Sequence, residues 1–157
     1  SVRSSVSMLT NEMIAELEDV ARFWLGGPLG YRDGGEPQPN LVEAPYSGTS
    51  TDKLIANLEG FEMALNGVGD APSLADYLDF LGAELNGEPM SEVLNAQIET
   101  TIAALEAIDT PLQVAVVEDT ATVEAAYNEA VTLLRLVKTD AAAQLGITVT
   151  FSDNDGD

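Results

Sequence analysis

Histidine and cysteine are both missing from the 157 residues, and those two absences remove more chemistry than any other feature of the chain. Without imidazole there is no His-based triad or dyad. Without thiol there is no cysteine nucleophile and no disulfide, and the usual imidazole and thiolate ligands of zinc are gone with them. Cationic side chains are scarce as well: Lys and Arg number 6 against 27 Asp and Glu, a net charge of -21. That balance argues against a nucleic-acid backbone or an anionic membrane surface as partner and makes cations the natural counterparts. The same acid excess also keeps a surface hydrated in high salt, and the depletion of lysine to Lys53 and Lys138 fits that role at least as well. No apolar run approaches the roughly 18 residues of a membrane-spanning helix, and the lack of cysteine leaves the redox compartment open.

What is present suffices for a core. Hydrophobic residues make up 45% of the chain and charged ones 21%, which places it among globular rather than disordered sequences. The length is that of one domain, so residues 1–157 are expected to form a single helical-bundle domain. The opening Ser1-Val2-Arg3, without methionine, leads us to expect a processed or trimmed chain or part of a longer one.

Periodicity predicts helices. Val6, Leu9, Met13, Leu17, Val20 and Trp24 recur at steps of three and four, and Gly26-Gly27-Pro28 stops the pattern. A loop over 27–49 follows, rich in Gly and Pro and longer than the usual ~12–15 residues, hence functional or pinned by a neighbour. Its apolar members Leu29, Tyr31, Leu41, Val42 and Tyr46 should pack against a partner or fold back over the bundle. Helix two opens with a cap at Ser50 or Asp52, carries Leu54, Leu58, Phe61 and Leu65, and stops at Asn66-Gly67. A short helix begins at a Ser73/Asp76 capping box, displays Leu74, Leu78, Leu81 and Leu85, and is ended by Asn86-Gly87. A Ser91 cap starts the next, with Leu94, Ile98, Ile102, Leu105 and Ile108 on one stripe before Asp109-Thr110-Pro111. The last runs from about Thr120 to Leu145, through Val123, Tyr127, Ala130, Leu134, Val137 and Ala141, with Gly146 as its stop. The fold class is therefore all-α: an antiparallel four-helix bundle with an extra short helix, a long loop after helix one and an extended acidic tail over 147–157.

Several chemical patterns are weak when weighed by context. Ser50-Thr51-Asp52-Lys53 matches S-x-x-K and Ser152-Asp153-Asn154 spells S-D-N, but the third element of penicillin-recognising enzymes is not there: Lys138-Thr139-Asp140 lacks its glycine and precedes S-D-N inside a helix. Ser50 reads better as a helix cap. The tail Ser152 to Asp157 resembles a calcium loop, yet Phe151 stands where the first ligand belongs and the chain ends before the bidentate Glu, so a solvated acidic terminus is the plainer reading. Di-metal bundles need Glu-x-x-His pairs, which a chain without His cannot supply. Glu12, Glu16, Glu59 and Glu62 remain as carboxylate-only candidates beside the apolar stripes, where a solvated helix flank is the commoner meaning.

Glu43-Ala44-Pro45-Tyr46-Ser47-Gly48-Thr49-Ser50, followed by Leu54 and Ala56-Asn57-Leu58-Glu59-Gly60, resembles the E-x-x-[YF]-S-x-N-S...A-N-x-x-G stretch of imelysin-like proteins, the peptidase M75 family. Leu29-Gly30-Tyr31-Arg32, the Pro111-Leu112 turn and the ending Leu145-Gly146-Ile147-Thr148-Val149-Thr150-Phe151 are also similar to the C-terminal portion of that family. Two positions depart: Thr49 stands where the family has Asn, and Lys53 stands where it has an acid.

The resemblance implies the second of two helical halves, facing a first half that carries a G-x-H-x-x-E motif. It implies a place outside the cytoplasm, in the periplasm or at the cell surface, and an association with iron acquisition. Tyr46, Ser47, Ser50 and Asn57 are then the candidates for this half's wall of a ligand or metal site. No catalytic residue and no metal ligand falls in this chain, and any iron or other divalent ion is held by the other half. The partner is that N-terminal half, from the same precursor or a separate chain, or a second copy. The first functional reading is thus the non-catalytic half of an extracytoplasmic binding protein. The alternatives are the C-terminal half of an M75 metallopeptidase and an acidic structural surface domain.

One outcome follows from composition alone. The purified chain is expected to hydrolyse neither peptide bonds nor β-lactams, because nothing in it activates a nucleophile; hydrolysis that disappears in Ser50→Ala would overturn this.

Overall fold

The computed structural model of the chain describes residues 1–44 and 46–150. Helix α1 (Val2–Glu18) continues into a π-helical stretch, Asp19–Gly26. After the loop, broken by one 3₁₀ turn at Pro39–Leu41, come α2 (Ser50–Asn66) and α3 (Leu74–Phe80). A two-stranded hairpin, β1 (Glu84–Leu85) with β2 (Glu88–Pro89), leads into α4 (Met90–Glu106). Then follow α5 (Leu112–Glu118) and α6 (Thr120–Arg135), the latter prolonged by π-helical Leu136–Ala141 and by α7 (Ala142–Leu145).

Side-chain ties fix the directions of the long helices. Arg3 donates to the Gly146 carbonyl, Lys138 pairs with Glu18, and Tyr31 reaches Glu124, so α1 runs antiparallel to α6. Asn66 and Asn95 exchange amide hydrogen bonds of 2.7 and 2.9 Å, placing the end of α2 beside the start of α4. Gln144 closes the set by gripping the backbone of Glu84, accepting from its N–H at 2.7 Å and donating to its carbonyl at 2.9 Å. The result is the expected up-down-up-down bundle. One end gathers the starts of α1 and α4, the end of α2, α3 and the hairpin. The other gathers loop 27–49, the start of α2, the end of α4 and α5.

The stripes named from the sequence converge on one core. Leu17, Leu58, Phe61, Leu65, Ile98, Leu105 and Val123 are essentially inaccessible, and Leu134 is 8% exposed. α4 and α6 make the most extensive helix–helix contact. Small buried residues, Ala126 and Ala130, on the α6 face admit that approach, and Gln97 of α4 donates to both the carbonyl and the carboxylate of Glu129, at 3.1 and 2.7 Å.

Several local expectations need correcting. Asn86-Gly87 does not end α3, which stops at Phe80; it forms the hairpin turn, with both residues at positive φ (53° and 87°), the chemistry that a two-residue primed turn demands. Consequently Leu81 is exposed and Leu85 only half-buried. Ser91 is not a cap, since its hydroxyl donates to Asp79 at 2.5 Å and ties α4 to α3. The Pro111-Leu112 turn is followed at once by a helix that the periodicity does not predict, α5, which buries Leu112, Ala115 and Val116. The Ser73/Asp76 capping box is present in both directions, and Gly146 ends α7 in the left-handed conformation. The acidic segment 151–157, including the calcium-loop pattern, lies outside the described residues.

The two π-helical stretches have a visible cause in the burial pattern. Val20 and Ala21 are followed on the inner face by Leu25 and Gly26, and Leu136 and Val137 by Ala141 and Ala142, each pair repeating after five residues rather than after three and four. An i→i+5 turn keeps such pairs on the core side. It also explains why Leu25 is fully buried while Trp24, placed on the stripe by regular spacing, is only partly so.

Truncating Leu134 to Ala is expected to destabilise the chain by about 2–5 kcal/mol in urea unfolding, the range for deleting a buried leucine side chain. A loss under about half a kcal/mol would place Leu134 on the surface instead.

Candidate functional site

The loop carrying the family-like residues is held at both ends. Leu29 and Val42 are buried in the core, as expected of apolar loop residues folding back. The Gln38 N–H donates to the Pro28 carbonyl at 2.7 Å, and the Gly35 N–H to Gly30 at 2.8 Å. Gly30 has φ 81°, and a β-carbon there would stand 1.9 Å from the Glu36 carbonyl oxygen, so only glycine fits this crossing. Tyr31 packs edge-on against Tyr127, with ring centroids 4.8 Å apart, and donates its hydroxyl to Glu124 at 2.7 Å. Arg32 lies 4.1 Å over the Phe23 ring. Leu41 remains 43% exposed, and Tyr46 is fully exposed.

Of the four predicted site residues, the structure gathers three near the start of α2. The Ser47 hydroxyl donates to the Ala44 carbonyl at 2.9 Å and lies 2.8 Å from the Thr49 hydroxyl. Tyr46 stands beside it in the open. Ser50 is buried, and its hydroxyl donates to the Glu43 carbonyl, closing the loop seven residues back. This corrects its reading as a helix cap: Thr49 occupies the cap position, and no side chain caps the helix. A hydroxyl committed in this way, with Lys53 exposed, is not the activated serine of an S-x-x-K site. Asn57 is half-buried on α2 about 10 Å further along the helix from Ser50, and so stands apart from the loop hydroxyls.

Beside the loop lies a cleft of about 530 Å³ that sequence reasoning missed. Gly48, Thr51, Asp52 and Ile55 form one side, and the end of α4 with the segment through Asp109 and Pro111 forms the other. Its floor is apolar, from Leu105 and Ile108, and its rim carries Asp52, Glu106 and Asp109 with the Thr51 and Thr110 hydroxyls. The only sequence signal was Asp109-Thr110-Pro111, which read as a helix stop. Such a rim can accept hydrogen bonds from a cationic or hydroxylated ligand. It does not amount to a metal centre, since no group of three or more metal-capable side chains is found among the described residues. Glu12 and Glu59 are exposed, and Glu16 and Glu62 half-buried, on α1 and α2. Burial, with Asp19 nearby, raises the Glu16 pKa above its ordinary value.

A helical bundle whose loop and adjoining cleft stand at one end is the class of protein defined here, and among the described residues no helix is long and apolar enough to cross a membrane. The imelysin (Peptidase_M75) family model matches residues 1–139, and the chain belongs to that family. No curated protein and no solved structure matches it.

The Tyr31 clasp makes a pH prediction. Its hydrogen bond to Glu124, helped by desolvation, pushes the Tyr31 pKa up to about 12. Stability from this clasp is therefore complete below the ordinary phenol pKa of about 10 and is lost as pH rises through the raised value. Ultraviolet titration of the four tyrosines should show one phenol ionising last, and Tyr31→Phe should remove that last step while loosening residues 27–49.

Proposed function

We propose that this chain acts as the non-catalytic second half of an extracytoplasmic imelysin-like protein associated with iron acquisition, and that loop 43–50 with the adjoining cleft is its wall of a ligand site shared with the other half. The observation that carries the reading is the state of Tyr46. Its loop is tied down on both sides, through Ser47 to Ala44 and Ser50 to Glu43, yet the tyrosine itself stands wholly in solvent with Leu41 also exposed. A fixed loop presenting an uncovered aromatic residue suits a surface that something else covers. The acidic cleft rim and the loop hydroxyls supply acceptors and donors for orienting a polar ligand. A metal, where one takes part, belongs to the other half.

The test combines this chain with an imelysin-like N-terminal half and measures ferrous and ferric iron binding together with hydrogen exchange. Residues 27–49 should gain protection on association. Tyr46→Ala, a change that leaves the isolated chain's stability untouched, should weaken association or iron binding by about tenfold, as loss of an interface aromatic does. Unchanged exchange together with intact iron binding in Tyr46→Ala places the site elsewhere.

A further inference from the structure

The opposite end of the bundle carries an apolar groove that the reading above does not use. It lies between the first turns of α1 and helix α3, with a volume of about 420 Å³. Val6, Leu9 and Leu74 are among its lining residues, as are Tyr77 and Phe80. Those two rings lie near-parallel, with centroids 6.5 Å apart, and Phe80 is 83% exposed. An exposed phenylalanine beside a groove, rather than alone on a polar surface, marks a place where another apolar surface can lodge. At the edge stands Asp76, whose carboxylate accepts from the Ser73 N–H at 2.9 Å and from the Ser73 hydroxyl at 2.8 Å, so its charge is fixed in place by the capping box. The Ser73 backbone bond lowers its pKa, and it remains ionised through the neutral range.

Charge narrows the choice of occupant. Between Lys53 and Arg135 the sequence has no Lys or Arg, while fifteen Asp and Glu fall in that interval. The interval includes α3 and its surroundings, with Asp70, Asp76, Asp79, Glu84, Glu88 and Glu92 close in sequence. Arg3, the basic residue of the first turn of α1, is turned to the Gly146 carbonyl. A second copy of this chain, at -21, would bring like charge against like. An acidic or neutral partner gains nothing from the field around the groove, whereas a basic one is drawn to it.

We propose that the α1/α3 groove docks a basic amphipathic helical segment of a partner protein, its apolar face laid against Phe80, Tyr77 and Leu9 and its Lys or Arg flank facing Asp76. This is the helix-in-groove mode, in which apolar anchors at helical spacing supply affinity and the flanking charges set orientation. The groove and the loop of the proposed ligand site stand at opposite ends of α2, separated by roughly 24 Å of helix, so the two readings fail or succeed separately.

The probe is a synthetic peptide of about four helical turns with Leu on one face and Lys on the other, titrated into the full chain by calorimetry and mapped by hydrogen exchange. Saturable one-to-one binding is expected, weakening as salt rises and protecting residues 5–9 and 73–80. Phe80→Ala, which removes an exposed ring, and Ser5→Arg, which puts a like charge at the groove, should each weaken binding by about tenfold, while Tyr46→Ala at the far end leaves it unchanged. The proposal is overturned if Phe80→Ala binds as tightly as the parent chain. It is equally overturned if a scrambled peptide of the same composition binds as well, because charge alone is then sufficient. Self-association of the chain that Phe80→Ala abolishes, without peptide binding, assigns the groove to a second copy and also overturns it.

Discussion

The fold depends on how closely α4 can approach α6. Ala126 and Ala130 are small residues buried on the inner face of α6, and Thr101, fully buried on α4, turns its hydroxyl back to the Gln97 carbonyl at 2.7 Å instead of demanding a partner on another helix. Gln97 then spends its amide on Glu129, which ties the two helices at mid-height. With that seam set, α1 is fastened to the other flank of α6 through Glu18 and Lys138, and α2 to the flank of α4 through Asn66 and Asn95. Each long helix thus touches α4 or α6, and bulkier residues at 126 and 130 would push the pair apart and leave the flanking helices without a common core.

The same seam decides where the irregular parts can go. One end of the bundle is closed by compact devices: the Asn86-Gly87 hairpin, the Gln144 clamp on Glu84 and the Ser73/Asp76 box. The other end must accommodate a long connection from Gly26 to Ser50. It does so by burying Leu29 and Val42, fastening Tyr31 to α6, and closing the last turn with Ser50 on Glu43. Tyr46 and Leu41 remain uncovered once these anchors are used, as Phe80 does at the compact end.

Elements with strong periodic burial were legible in the sequence. Leu54, Leu58, Phe61 and Leu65 mark the buried face of α2, and Asn66-Gly67 stops it where expected, while it opens at Ser50 after Thr49 rather than behind a Ser50 or Asp52 cap. What escaped had a physical reason in each case. The π-helical stretches hide because their inner positions include Gly26, Ala141 and Ala142, which carry little hydrophobic signal, and because a five-residue repeat mimics a slightly misplaced α-helical one. α5 hides because it is only two turns long and follows directly on Pro111. Asn86-Gly87 is ambiguous by nature, being equally good as a helix stop and as a hairpin turn, and the strands it joins are two residues each.

Site residues were legible only as a neighbourhood. The family-like run from Glu43 to Ser50 does land on a fixed loop, but Ser50 and Ser47 spend their hydroxyls on the loop's own carbonyls, so what resembles a reactive pair is a pair of fasteners. The cleft next to it is built from Asp52, Glu106 and Asp109, residues far apart in sequence that meet only because α2 and α4 are antiparallel, and no linear pattern announces that meeting. The chemistry open to this end therefore follows from topology. Antiparallel packing sets the first turn of α2 against the last turn of α4, and acidic residues at both positions make a rim of one sign. With imidazole and thiol absent, the rim's chemistry is that of carboxylates and hydroxyls, which accept and donate hydrogen bonds to a polar ligand.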